Sequence, residues 1–520
     1  MKNAVGREIP DELLVNNKRV YSGKNQIDGQ YEQKVGPKRR IGEKPRENKL
    51  VATLREACEK CGVHYGMTIS FHSVFRNGDY VASMAVKTLV EELGVKDLNI
   101  AATSLGSAHD IIADYIEKGI VTGIQTTGVR GRIGEVISEG KLKTPAISRS
   151  HGGRTRAIAA GKVTIDIAFI GASASDYYGN AAGIGGKNNS GVIGFAGPDA
   201  KYANHVIVVT DTLVPFPNLP APINAMDVDY VVTVDEVGNP DKIATAEARM
   251  TQDPRELMMA RNVADIIANT PYFKDGFSFQ TGVGGPSLAV NRFLEEHMVK
   301  NNIQMGFALG GISNAMCQLQ DKGLVKKILD TQCFDKPTIE HLAKHPDKHI
   351  EITTDEYANP SNQGAYVNKL DYVVLSALEI DTDFNVNVIT GSDGVLRGAP
   401  GGHPDTAAGS KCCIIVTPLT RGRMATVCEK VVTVTTPGDT VDVLVTDYGT
   451  AVNPLRQDII DCLDKAGIPH VTIESLKEKA YSLVGRPDDL EWEDKVIAVV
   501  EARDGSILDV VRRIKPVTLD

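Results

Sequence analysis

Short apolar runs alternate with amphipathic stretches along most of this chain, and that pattern restricts it to largely parallel sheets covered by helices. Thr68–Phe71, Leu98–Ala102, Val121–Gln125, Ile165–Gly171, His205–Thr210 and Tyr230–Val234 read as strands, with helical periodicity in Asp79–Leu93 and Ala108–Lys118 between them. Leu213–Pro222 holds four prolines in ten residues and cannot be regular structure; it reads as an extended segment crossing the surface. A break near Val237–Ala246 precedes Asp253-Pro254, which opens a helix with Asp as N-cap and Pro in the first turn. The alternation then restarts. Phe277–Thr281, Gln304–Leu309, Tyr372–Ser376, Cys412–Pro418, Val427–Val434 and Val441–Thr446 are expected strands; Pro286–Met298 and Pro454–Ala466 are expected helices, the latter stopped by Gly467.

A length of 520 residues exceeds what one core organises. We expect a polar arm (1–50) and two α/β domains of similar kind (51–246 and 247–520), without a close sequence repeat. The 49 glycines fit tight strand-to-helix turns. A net charge of −9 argues against nucleic acid as the main partner. The arm carries twelve Lys/Arg against seven Asp/Glu, so it is +5 and the remainder is −14. It reads as packing on a neighbouring subunit, with a docking surface for an acidic partner as the alternative; Pro37-Lys38-Arg39-Arg40 is its densest basic point. No stretch approaches the roughly 20 apolar residues of a membrane helix, and Met1–Glu8 lacks a signal-peptide core, so a cytoplasmic protein without membrane contact is expected. The eight cysteines then read as inert thiols. Cys58-Glu59-Lys60-Cys61 has no second pair at zinc spacing, and no metal site is expected.

Three glycine-rich segments differ in what they offer. Gly282-Val283-Gly284-Gly285-Pro286 follows a strand and opens a helix, so its amides suit an anion or a developing oxyanion; a purely structural turn is the alternative. Ser287 stands where a dinucleotide fingerprint needs its third glycine, and no acidic residue follows at the required distance, which disfavours a dehydrogenase. Gly183–Asn188 lacks the Ser/Thr of a phosphate loop. The stretch Gly391–Asp405 costs entropy to order, which favours a binding surface over a mere connector. Arg149, Arg154 and Arg156 flank His151 within eight residues; in an acidic chain this suggests an anionic ligand, with surface ion pairs as the alternative.

Several segments resemble a known family. Val431–Gly449 is similar to the C-terminal signature of CoA-transferases and acetyl-CoA hydrolases, Ser376–Asp381 resembles their S-A-x-E-V-D strand end, and Gly401–Asp405 their GGxxD loop. Asp166–Ala172 with Asp176–Asn180 resembles the first-domain strand and D-x-x-G-N turn. The nucleophilic Glu of the transferases is missing from Gly306–Ser313, and Leu375 replaces the Asn before S-A-x-E. The branch resembled along the whole length is that of citrate lyase α subunits, through Arg7–Pro10, Ser70–Arg76 and Ser148–Arg156.

That resemblance implies two tandem CoA-transferase-like domains and exchange of acetyl for citrate on a carrier-protein thioester, without an acyl-enzyme. It implies a β lyase subunit and a γ acyl carrier subunit as partners, a homo-oligomer, and no cofactor bound by this chain. The thiol arm derived from dephospho-CoA sits on the carrier, with acetyl-CoA as its surrogate. Gly282, Gly284 and Gly285 are then the expected oxyanion donors. Arg149, His151, Arg154 and Arg156, with His72 and Arg76 in reserve, are expected at citrate; Gly394, Gly401, Gly402 and His403 at the carrier arm. Arg154→Ala should depress turnover and leave the fold intact. The rivals are a free-CoA transferase or acyl-CoA hydrolase using Glu379, and a non-catalytic scaffold.

Overall fold

The computed structural model describes residues 1–15, 18–24, 34–36, 44–72, 74–243, 250–282 and 284–515. The basic point at residues 37–40 lies outside them. The first sheet takes β1 (Leu50–Val51), β2 (Thr68–Phe71), β3 (Leu98–Ala102), β4 (Val121–Thr126), β5 (Ala146–Ser148), β6 (Ile167–Ala172), β7 (His205–Thr210) and β8 (Tyr230–Thr233). The second takes β9 (Ser278–Thr281), β10 (Met305–Ile312), β11 (Val325–Cys333), β12 (His349–Glu351), β13 (Tyr372–Leu375), β14 (Cys412–Val416), β15 (Val443–Thr446) and β16 (Gly449–Val452). The chain closes with β17 (Trp492–Glu501) and β18 (Ile507–Ile514).

The first sheet runs β1-β8-β7-β6-β2-β3-β4-β5-β17-β18, and the second β12-β11-β10-β9-β13-β14-β15-β16. Read from β5 and from β12, the two share one winding: four strands in reverse order, then three forward. All neighbours are parallel except the outermost pairs, β17/β18 and β15/β16. The kinship extends to one turn. After β6, Asp176 accepts from the amides of Tyr178 and Asn180 and from the Asn180 side chain, and Asn180 Oδ1 accepts from Ala225 N. After β13, Asp381 does the same with Asp383, Asn385 and the Asn385 side chain, and Asn385 Oδ1 accepts from Gly438 N. Polar side chains thus satisfy backbone donors that a sharp departure from the sheet would orphan.

Three expectations are corrected. The second unit does not extend to residue 520: β17 and β18 return to the first sheet, where β17 pairs with β5 and covers what would otherwise be an open edge. The described arm residues pack on this hairpin of their own chain. Arg7 pairs with Asp509 at 3.2 Å, Arg19 with Asp504 at 3.3 Å, Lys18 with Glu501, and Tyr21 N donates to Ile507 O. The basic arm therefore neutralises acidic residues of the hairpin. Finally, only Val427–Cys428 of the expected strand Val427–Val434 is a strand. Past it the amides of Val431, Val432 and Val434 donate to the carboxylates of Asp381, Glu379 and Asp509, so side chains replace the ladder.

Candidate functional site

In open parallel sheets, ligands sit beyond the carboxyl ends of the strands where the winding reverses. In the second sheet that point lies between β9 and β13. Gly282 follows β9 and donates its amide to Val374 O at 2.8 Å; the helix Gly285–Asn301 starts immediately after. Ser376 follows β13, with its hydroxyl 3.4 Å from that of Ser287. A Cβ added at Gly284 would lie 3.0 Å from Ser376 Oγ, so the loop and this serine share one small space. His403 fixes the serine: its Nε2 donates to Ser376 O at 3.0 Å while Thr436 Oγ1 donates to its Nδ1 at 2.7 Å. Burial pulls the His403 pKa to about 4, so the ring is neutral and its proton sits on Nε2.

In the first sheet the winding reverses between β2 and β6, and His72 is the residue after β2. Its ring is buried, and neither nitrogen has a hydrogen-bond partner among the described residues. Burial pulls its pKa to about 4, with Asp199 and Asp79 opposing. His151 opens the helix His151–Ala159, which Ser150 caps by accepting from Gly153 N. Burial, then the nearby Arg154, pulls the His151 pKa to about 3; its Nδ1 is likewise unpartnered among the described residues. A buried and a half-buried neutral imidazole, each with a vacant nitrogen, are what a hydrogen-bonding substrate pocket presents.

The two domains meet on this helix. Asp405 accepts from Ser150 Oγ and Gly152 N, both at 2.8 Å, placing a carboxylate at a helix N-terminus. Burial nonetheless raises its pKa to about 6, against Arg503. His151 N donates to Gly401 O at 2.8 Å, and the imidazole packs on Phe195 with 4.6 Å between centroids. A Cβ at Gly152 would collide with Ala358 O, and one at Gly402 with the Tyr357 hydroxyl. That hydroxyl holds Gln280 of β9 at 2.9 Å. His151, Gly401, Gly402, His403, Ser376 and Gly284 therefore form one continuous seam.

The expected arginine cluster does not join it as free cations. Arg154 makes a bidentate pair with Asp199, both bonds 2.8 Å, and donates to Ala101 O at 2.9 Å; the side chains are 6% and 2% exposed. Arg149 pairs with Glu501 and with Gln125 Oε1. Arg156 donates to Arg503 O and lies against Gly505. Arg76 reaches across to the second domain, where it donates to the carbonyls of Phe334 and Cys333 and covers the Phe334 ring at 5.3 Å. Three guanidinium groups close in sequence are here committed to internal oxygens, because the helix and its neighbours bury them, and a buried arginine requires a partner. On the same ground Arg154→Ala is expected to weaken the fold rather than leave it intact. Gly394 also stands apart: a Cβ there would lie 2.5 Å from Ile514 and 2.8 Å from Trp492.

Ser376, Ser287, Gln280 and Tyr357 were not read as site residues. Ser376 had a signal, being polar at the carboxyl end of an apolar strand; the others are visible only through contacts distant in sequence. Glu379, the rival nucleophile, is buried at 7% exposure and accepts from Asn387 Nδ2 at 2.8 Å and Val432 N at 3.1 Å.

Residues 47–514 match the family model described as citrate lyase, alpha subunit (CitF). The citrate lyase alpha chain of Klebsiella pneumoniae is 50% identical over 470 residues, covering 90% of this chain and 92% of that one. A crystal structure from Streptococcus mutans, described as the putative alpha subunit of citrate lyase in complex with citrate, superposes with a TM-score of 0.96 at 49% identity, covering 99% of this chain and all of that one. The malonate decarboxylase alpha subunit of Acinetobacter baumannii shares the fold, with a TM-score of 0.63 at 16% identity over 84% of this chain and 87% of that one. A duplicated α/β unit with its glycine loop at the winding reversal, matched to these relatives along nearly its whole length, makes this chain a CoA-transferase-like enzyme that belongs to the citrate lyase alpha subunit family.

Proposed function

We propose that the chain exchanges acyl groups on a carrier thioester, converting acetyl-carrier and citrate into citryl-carrier and acetate by direct attack of the substrate carboxylate. A citrate carboxylate oxygen bonds to the acetyl carbonyl carbon, the C–S bond breaks, and the carrier thiolate leaves. The thiolate then attacks the citryl carbonyl of the mixed anhydride, the C–O bond to acetate breaks, and acetate departs. Electrons and atoms balance without a redox partner.

The observation that carries this reading is the state of Glu379. Its carboxylate is buried and holds the Asn387 side chain and the Val432 amide, so using it as a nucleophile would orphan both donors. The strand that lacks the usual glutamate, Met305–Ile312, offers no replacement. With Glu379 committed and no glutamate on that strand, the incoming acid is the nucleophile of this reading.

The chain's own residues supply orientation and charge stabilisation. The amides of Gly284 and Gly285 and the Ser376 hydroxyl face the developing oxyanions, whereas the expected donor Gly282 is already committed to Val374 O. His72 and His151 donate from neutral rings to citrate oxygens, and the Arg154–Asp199 pair orders the wall between them. Gly401, Gly402 and His403 border the carrier's thiol arm, which is derived from dephospho-CoA and which acetyl-CoA replaces as a surrogate. The seam between the domains excludes water from the anhydride. The working form is cytoplasmic and oligomeric, with a β lyase subunit and a γ carrier subunit; among the described residues no helix is long and apolar enough to cross a membrane.

Hydroxylamine or borohydride trapping during turnover with acetyl-CoA and citrate tests the mechanism. Peptide mapping should find no modified glutamate. A modified Glu379 would establish the free-CoA transferase mechanism instead, and absence of citrate-dependent acetate release would leave the chain a scaffold.

A further inference from the structure

Away from the seam, at the edge of the second sheet, three segments bring two imidazoles and a thiol together. Cys317 lies on the helix Asn314–Asp321, His341 on the helix Lys336–Lys344, and His349 begins β12. All three are buried, and their ligand atoms lie within 4.8 Å of one another. The ring nitrogens are arranged unusually. His349 Nε2 contacts Asp330 Oδ2 at 2.9 Å, and His341 Nε2 faces Asp321 Oδ1 at 3.4 Å. The Nε2 of His349 that meets Asp330 carries the proton, which leaves that ring's lone pair on Nδ1; a proton on His341 Nε2, on the side of Asp321, does the same for the second ring in the metal-bound form. The two Nδ1 atoms face each other at 3.0 Å. At that spacing either one shared proton or one cation lies between the two nitrogens.

We infer that Cys317 Sγ, His341 Nδ1 and His349 Nδ1 bind a divalent transition metal of the zinc type. Tetrahedral zinc with Zn–N distances of about 2.0–2.1 Å separates its two nitrogens by roughly 3.3 Å, close to the spacing present. His349 donates its other N–H to Asp330, the outer partner that metal-bound histidines ordinarily have, and Asp321 lies 3.4 Å from the other nitrogen of His341. One thiolate and two neutral imidazoles leave a net +1 on the ion, which Asp330 and Asp321 offset. Thiol and imidazole donors select a borderline-soft ion over magnesium or calcium. On binding, the metal–sulfur bond replaces the S–H bond of Cys317 and one proton leaves to solvent. The ion ties two helices to β12, beside the Cys333 and Phe334 carbonyls that hold Arg76 of the first domain. Its role is structural and independent of the acyl-transfer reading.

The test uses the full chain, stripped with chelator and titrated with Co²⁺. One equivalent should bind, with one proton released and a thiolate-to-cobalt band in the near ultraviolet beside the visible bands of a tetrahedral site. Cys317→Ser should abolish the near-ultraviolet band while keeping the visible ones, and a Cys58→Ser/Cys61→Ser variant should keep both. Purified, unstripped chain should carry about one zinc by elemental analysis. No saturable binding to folded chain would overturn the site, as would a band that survives Cys317→Ser; the two imidazoles would then share a proton.

Discussion

Removing the Arg154 guanidinium separates a structural arginine from a ligand-binding one. Arg154→Ala deletes two charge-assisted bonds to Asp199 and one to Ala101 O, all in a region where neither side chain meets solvent appreciably. The carboxylate left behind is buried and unpaired, which typically costs about 3–5 kcal/mol. Asp199→Ala also loses the pair, but Arg154→Ala/Asp199→Ala leaves neither charge stranded, so the double variant should lose less than the sum of the singles, with a coupling of about 2–3 kcal/mol. Urea unfolding followed by Trp492 fluorescence provides the assay. Trp492 is the sole tryptophan and opens β17 on the first sheet, so it reports the domain that holds the pair. Unfolding midpoints for the four proteins, with citrate KM measured in parallel, decide the matter. An Arg154→Ala protein as stable as the parent but with strongly raised citrate KM would refute the internal-pair reading and restore Arg154 as a citrate ligand.

Further outcomes follow from the same geometry. Gly284→Val should lower kcat for acyl exchange by at least about 100-fold, as loss of one oxyanion donor does, because its branched side chain fills the space before Ser376 Oγ; a stopped assay of acetate release checks this, and a fully active variant refutes it. Glu501 is held at about 2, below the ordinary carboxylate value, because Arg149 and Lys18 outweigh the burial that would raise it. A depressed acid stabilises the fold above its unfolded pKa, and that stability is lost as pH falls toward 2; the drop from 4.5 to about 2 corresponds to something on the order of 3 kcal/mol. Glu501→Gln should therefore be less stable at neutral pH and less acid-sensitive between about pH 5 and 3, read as Tm against pH; an unchanged slope would remove Glu501 as the source. Gly402→Ala should weaken the seam by displacing the Tyr357 hydroxyl from Gln280, raising the KM for acetyl-carrier more than that for citrate; equal effects on both would place Gly402 away from the carrier arm.

Much of the architecture was legible because strand and helix periodicity are local. Thr68–Phe71, Leu98–Ala102 and His205–Thr210 fall where their apolar runs place them, and Asp253 caps Pro254–Ala268 by accepting from Arg255 N. Alternation misled at Val427–Val434, where the pattern suited a strand but buried carboxylates took the amides. Within the candidate site, the glycine loop and His403 stand out in the sequence because glycine and histidine report a backbone or chemical need at one position. The arginines misled for the opposite reason: a guanidinium's role is set by the oxygen it meets, and Asp199 and Glu501 lie 45 and 352 residues away.

By itself the sequence determined what short-range physics controls: parallel α/β units, helix caps and a glycine-rich turn between a strand and a helix. Tertiary structure alone decided which charges neutralise each other, that the C-terminal hairpin joins the first sheet, and that Cys317, His341 and His349 converge. Those outcomes depend on burial, and burial is a property of the folded whole: a charge or thiol is partnered or stranded only once distant segments have excluded water from around it.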